Sequence, residues 1–185
     1  MLRVPGTRDN TAMQNVSPQI RFVVLFIALY AAMHFSYLAV PIEYLINFVY
    51  RWGINEPAAW AINAITAAET VRVEGHRLIS KTAILEIVRG CDGSGVFFIM
   101  ASAILAFTAS IRFKMWGVVS GLILIYVLNQ TRVVVLYFVV SNKPDWFTPL
   151  HTYYIPTLLI IIMCCFFIWW LDWVKRRDPR FQVVA

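Results

Sequence analysis

Four stretches of this chain, residues 22–40, 94–111, 115–140 and 149–171, run apolar with few interruptions. A helix rises about 1.5 Å per residue, so about 20 residues cross a hydrocarbon core about 30 Å thick. Inside lipid every backbone N–H and C=O must find its partner within the segment, so runs of this kind read as membrane-spanning helices. Composition agrees. The chain is 60% hydrophobic and only 14% charged, where soluble domains carry about a quarter charged residues. The expected fold is an all-α polytopic membrane bundle of about four or more transmembrane helices, with a small extracytoplasmic hairpin and interfacial-helix region.

The formal charge is +6, and the basic residues cluster beside the apolar runs. That placement suits topogenic signals and anionic lipid, and no nucleic-acid partner is expected. The first run is long and lacks a small-residue cleavage pattern, so it reads as a retained anchor and not as a cleaved signal peptide.

The reading divides the chain into three parts. Residues 1–20 form a cytoplasmic tail, with Arg3, Arg8 and Arg21 making this end basic. Residues 21–171 form a single transmembrane catalytic domain whose outer segment covers about 42–93. Residues 172–185 form a basic cytoplasmic tail with Lys175, Arg176, Arg177 and Arg180. Pro41 ends the first span. Residues 42–52 and 58–70 are expected to form a pair of interfacial helices, separated by a turn at Gly53-Ile-Asn-Glu-Pro57. Residues 71–79, turning near Gly75, are expected to pair with 83–88 as a small β-hairpin outside the membrane. A polar loop is expected at 141–148.

The positive-inside rule gives an orientation. With both termini and the Arg112–Lys114 loop in the cytoplasm, nine of the sixteen Lys and Arg lie on short cytoplasmic segments, and seven of the ten acids lie outside. The expected location is a prokaryotic cytoplasmic (inner) membrane, N-in and C-in.

Under that topology Cys91 sits at the outer end of the second span. Arg132 lies seventeen residues beyond Met115, about 25 Å along the helix and hence near the outer interface. His151 opens the last span at the same depth. Three helices therefore bring a thiol, a guanidinium and an imidazole together, a workable set for acyl transfer. The thiolate is the nucleophile, and the imidazole moves the proton. The guanidinium stabilises a developing oxyanion or a substrate carbonyl. This chemistry needs no cofactor. The glycine-rich turn Gly90-Cys-Asp-Gly-Ser-Gly95 lets a peptide backbone approach closely. Around it, Gly93, Asn129, Asp92 and Glu86 are candidate substrate-binding or orienting residues. Asp92 and Glu86 would either orient His151, pair with Arg132 or Arg89, or make ordinary surface pairs. Cys164 and Cys165 lie in an apolar run and are expected to be buried packing residues. A metal site from Cys91, Asp92 and His151 lacks close ligand spacing and is not expected.

The stretch GCDGSG, a following span, NQTR inside the next and His151 opening the last together resemble the exosortase/archaeosortase family of membrane transpeptidases over roughly residues 70–171. The resemblance departs at Asp92, where members often carry Ser, Thr or Asn. It implies that Cys91, Arg132 and His151 are catalytic. It further implies substrates that are membrane-anchored proteins with a C-terminal signal of a short motif, a helix and a basic cluster. The signal is cut at the outer face and the new C-terminus passes to an acceptor.

Each residue also has a plainer reading: Cys91 as a space-filling thiol, Arg132 snorkelling to headgroups, His151 as an interfacial residue. Jointly these must account for three coincident depths. Other classes of function stay open at this level. One is a non-enzymatic assembly factor or small transporter component built around intramembrane Arg132, and another is a redox sensor using Cys91. His34 reads as a packed, hydrogen-bonded residue in the first span and His76 as a solvated turn residue.

Overall fold

The computed structural model describes residues 17–66 and 70–182. The expected tail bearing Arg3 and Arg8, together with residues 67–69 and 183–185, lies outside the described residues.

Helix α1, Pro18–Leu38, begins where Ser17 Oγ accepts the Ile20 N–H at 3.5 Å and Pro18 takes a first-turn position that needs no donor. One face carries Phe22, Phe26, Tyr30 and His34 stacked four residues apart, so His34 packs on Tyr30 at 5.6 Å between centroids. The helix stops before Pro41, and Arg89 donates to the freed carbonyls of Leu38 and Val40 at 2.9 and 2.7 Å.

The expected pair of interfacial helices is instead one helix, α2. It starts at Ile42–Tyr44, widens into π geometry over Leu45–Asn55 and returns to α geometry over Glu56–Ile65. The expected turn at residues 53–57 is absent. Pro57 has no N–H to give the carbonyl four residues back, and that carbonyl, Gly53 O, is taken by Gln130 Nε2 at 2.9 Å. A side chain from another helix thus holds a carbonyl beside the proline, and the chain stays helical through it.

The expected hairpin is a three-stranded antiparallel meander of β1 (Arg72–Glu74), β2 (Arg77–Ile79) and β3 (Ile84–Glu86), with Val73 opposite Leu78 and Leu78 opposite Leu85. Val71, Leu78, Leu85 and Ile87 are buried in a cluster with α2 and with Val133, Leu136 and Tyr137.

Helix α3, Ser94–Ala106, has 13 residues. It is shorter than the expected span at 94–111 and covers about 20 Å. Phe107 and Ser110 are extended and complete the return. Helix α4 runs unbroken over Ile111–Asn142, straight through Asn129-Gln-Thr-Arg132. Helix α5, Pro144–Arg177, starts in the segment expected to be a loop and passes through π geometry over Leu150–Tyr154. It also carries helix into the expected tail. A short α6, Pro179–Gln182, follows. Among the described residues three helices, α1, α4 and α5, are long and apolar enough to cross a membrane. The shorter, apolar α3 runs antiparallel to α1, with Phe98 on Tyr37 and Ser102 on Met33.

Helix α4 meets its neighbours through Gly117 and Gly121. A Cβ at Gly117 would strike the indole of Trp170, and one at Gly121 the end of Met100. Such glycines let helices approach closely in lipid. A second core cluster, with Met100, Ile104, Ile125, Met163 and Trp170, fills this half of the bundle. The expectation for Cys164 and Cys165 is corrected: both are exposed, and Cys164 lines an open groove between α5 and α3 beside Val96 and Ile99.

The start of α1, the α3–α4 connection and the end of α5 meet at one end. Arg21 and Arg180 lie close enough to Lys114 to act on its charge, and Arg180 Nη1 donates to Ala109 O at 3.0 Å. Asp178, fully buried, ties this end together. It accepts the Ser110 N–H at 2.6 Å, the Ser110 hydroxyl at 2.8 Å and the Arg180 N–H at 3.1 Å. Burial pushes its carboxyl upward, but these donors outweigh it and hold the group below its ordinary value. A depressed carboxylate stabilises the fold above its unfolded-state pKa, and that stability is lost as pH falls through the folded value. Asp178→Ala is therefore expected to lower the melting temperature by several degrees at neutral pH. The gap to wild type should close in acid, which thermal unfolding in micelles across pH would read.

Candidate active site

The two core clusters meet on α4 between Ile125 and Val133, and the polar residues of that helix, Asn129 and Arg132, lie at the joint. Both are buried, at 3% and 8% exposure. Beside them the chain leaves β3 in a loop that bends at Gly90 and Gly93, both with positive φ, and delivers half-buried Cys91. The loop is held on both sides of the cysteine. Arg89 grips the end of α1 and lies over the Tyr37 ring at 5.3 Å. Asp92 accepts the N–H and hydroxyl of Ser94, at 3.2 and 2.7 Å, at the start of α3. Its other oxygen accepts from Tyr37, whose hydroxyl meets that of Tyr50 at 3.1 Å.

Across from the loop, α5 opens with His151 in its π segment, stacked on Phe147 at 5.1 Å. The three residues singled out from sequence meet here. Cys91 Sγ lies 3.6 Å from His151 Nε2, and His151 Nδ1 lies 3.4 Å from Arg132 Nη2. Arg132 thus stands on the far side of the imidazole from the sulfur. No carboxylate pairs with Arg132 among the described residues.

The other candidates divide. Gly93 and Asn129 line this joint. A Cβ on Gly93 would stand 3.4 Å from Asn129 Cγ. Asp92 neither orients His151 nor pairs with Arg132 or Arg89, because Tyr37 and Ser94 occupy its oxygens. Glu86 is exposed on β3, away from the thiol. It accepts from His76 Nε2 at 2.7 Å and Arg77 Nε at 3.1 Å, and the His76 bond holds its carboxyl below the ordinary value. The ordinary surface pair is the reading that describes it, and His76 is bonded in its turn. Tyr37 and Tyr50 were missed. Their distance along the chain from Cys91 gave no signal, and tyrosines flanking apolar runs look like interfacial anchors.

The family model for a transmembrane exosortase matches residues 20–170. No curated protein and no solved structure matches the chain.

Proposed function

This chain belongs to the transmembrane exosortase family, and from that premise we propose that it is an integral-membrane cysteine transpeptidase. The observation that carries the reading is the line from Cys91 Sγ through both ring nitrogens of His151 to Arg132, built from a loop and two separate helices. His151 Nε2 faces the sulfur, takes the thiol proton to become an imidazolium, and leaves the sulfur as the nucleophilic thiolate. The thiolate attacks a peptide carbonyl carbon, and the π pair moves to oxygen. The remaining N–H groups of buried Arg132 stabilise that charge in a water-poor setting. The C–N bond then breaks. The departing amine takes the proton from the His151 imidazolium, which returns to neutral imidazole, and a thioester is left on Cys91. An acceptor nucleophile returns a proton to His151 and displaces the thiolate.

The substrates in this reading are membrane proteins with a C-terminal motif, helix and basic cluster. A helix lying in the same bilayer presents its flanking motif at the depth of Cys91. The basic end of the bundle faces the cytoplasm and the site faces outward, as the positive-inside rule favours. The test expresses wild type, Arg132→Ala and His151→Ala in the native host and follows such proteins by C-terminal mass spectrometry. Wild type is expected to remove the helical tail, with both variants leaving it intact at equal expression. Normal trimming by either variant would sink the reading.

A further inference from the structure

Asn129 lies three residues before Arg132 on α4, on nearly the same face. Its side chain is 3% exposed, and its Oδ1 has no hydrogen-bond partner among the described residues. Buried acceptors in folded proteins are almost always satisfied, so an orphan calls for a donor. Gly93 keeps the space beside it narrow. Its φ is +81°, and a Cβ there would stand 3.3 Å from Ile125 Cγ2 and 3.4 Å from Asn129 Oδ1. The nucleophile's loop therefore runs its backbone against the carboxamide, two residues from Cys91. A carboxamide offers one acceptor and one donor group, the same pair a peptide unit presents. We propose that Asn129 binds the substrate backbone, its Oδ1 accepting the N–H of the residue whose carbonyl Cys91 attacks. This rests on the reading of Cys91 as the nucleophile.

The test uses the full chain carrying Cys164→Ala and Cys165→Ala, which leaves Cys91 as the single thiol of three, in lipid nanodiscs. The probes are benzyl thioesters of N-acetylglycine and N-acetylsarcosine, which differ by a methyl in place of the amide hydrogen. Cys91 sulfur attacks the thioester carbonyl and benzyl thiolate leaves, taking up a proton. The protein gains the acyl group, read by intact mass. The ratio of the two rates, divided by the same ratio with free glutathione, reports recognition of the N–H and does not depend on the folded fraction. That normalised preference is expected to be about tenfold or more, the scale of a buried hydrogen bond. Asn129→Ala should erase it, and Asn129→Asp, which keeps the acceptor, should retain it. A preference that survives Asn129→Ala, or none in the parent protein, overturns the assignment of Asn129. A Cys91 that iodoacetamide alkylates but neither thioester acylates overturns the nucleophile reading, and this inference with it.

Discussion

Cys91→Ala is expected to abolish tail removal, by at least about a thousandfold, while the protein folds and inserts as before. The size of the effect follows from chemistry. Without sulfur there is no covalent intermediate, and neither His151 nor Arg132 can replace it. The intact fold follows from how the loop is held. Arg89 on the α1 carbonyls and Asp92 on Ser94 and Tyr37 fix its course, and the half-buried thiol is small and faces His151. Truncating such a side chain costs about 1 kcal/mol or less. Cys91→Ser should also be inactive, because an alkoxide is far harder to form than a thiolate. Substrate mass and thermal unfolding measured on the same preparations decide the matter. Unimpaired processing by well-folded Cys91→Ala would bring forward the transporter or assembly-factor reading.

The second large effect concerns the helix joint. Gly117→Ala is expected to destabilise the bundle clearly, whereas Gly121→Ala should be nearly neutral. Both substitutions gain helix propensity, worth up to about 1 kcal/mol. They differ in what the new methyl meets. At Gly117 it strikes Trp170, 1% exposed and fixed by Nε1 donating to Phe113 O at 3.1 Å. Overpacking against a fixed ring costs about 1–3 kcal/mol. At Gly121 the nearest atoms are Met100 Cε and Sδ, the end of a flexible chain that can swing away. Tryptophan fluorescence during thermal unfolding in micelles would read the difference. Equal losses for the two variants would refute this account of the joint.

Much of the scaffold was legible because lipid makes simple demands. Length and hydropathy located α1, α4 and α5, the three helices long and apolar enough to span, and about 1.5 Å per residue put Cys91, Arg132 and His151 at one depth, where their side chains do meet. Boundaries failed where a local signal was overruled from elsewhere in the chain. Gly53 and Pro57 read as a turn because the side chain that rescues the Gly53 carbonyl, Gln130, lies 77 residues away. The partners of Asp92 stayed open for the same reason, since Tyr37 lies 55 residues from it. Cys164 and Cys165 were misplaced by a soluble-protein habit: in a bilayer an apolar residue has no reason to face inward. The Gly117-x-x-x-Gly121 spacing was in plain view and would have located the close joint on α4.

The π segment at Leu150–Tyr154 makes the aim of the imidazole a matter of residue count. A π turn is in effect one residue inserted into an α-helix, and each α-helical residue turns the chain by about 100°. Tightening that turn to plain α-helix with every residue kept would leave the buried stripe at Leu159, Met163 and Trp170 undisturbed. The stretch carrying Phe147 and His151 would rotate about the axis by roughly a quarter turn, and the imidazole would leave the sulfur. The helix could therefore tolerate many substitutions along its outer turns, provided that the widened turn is kept.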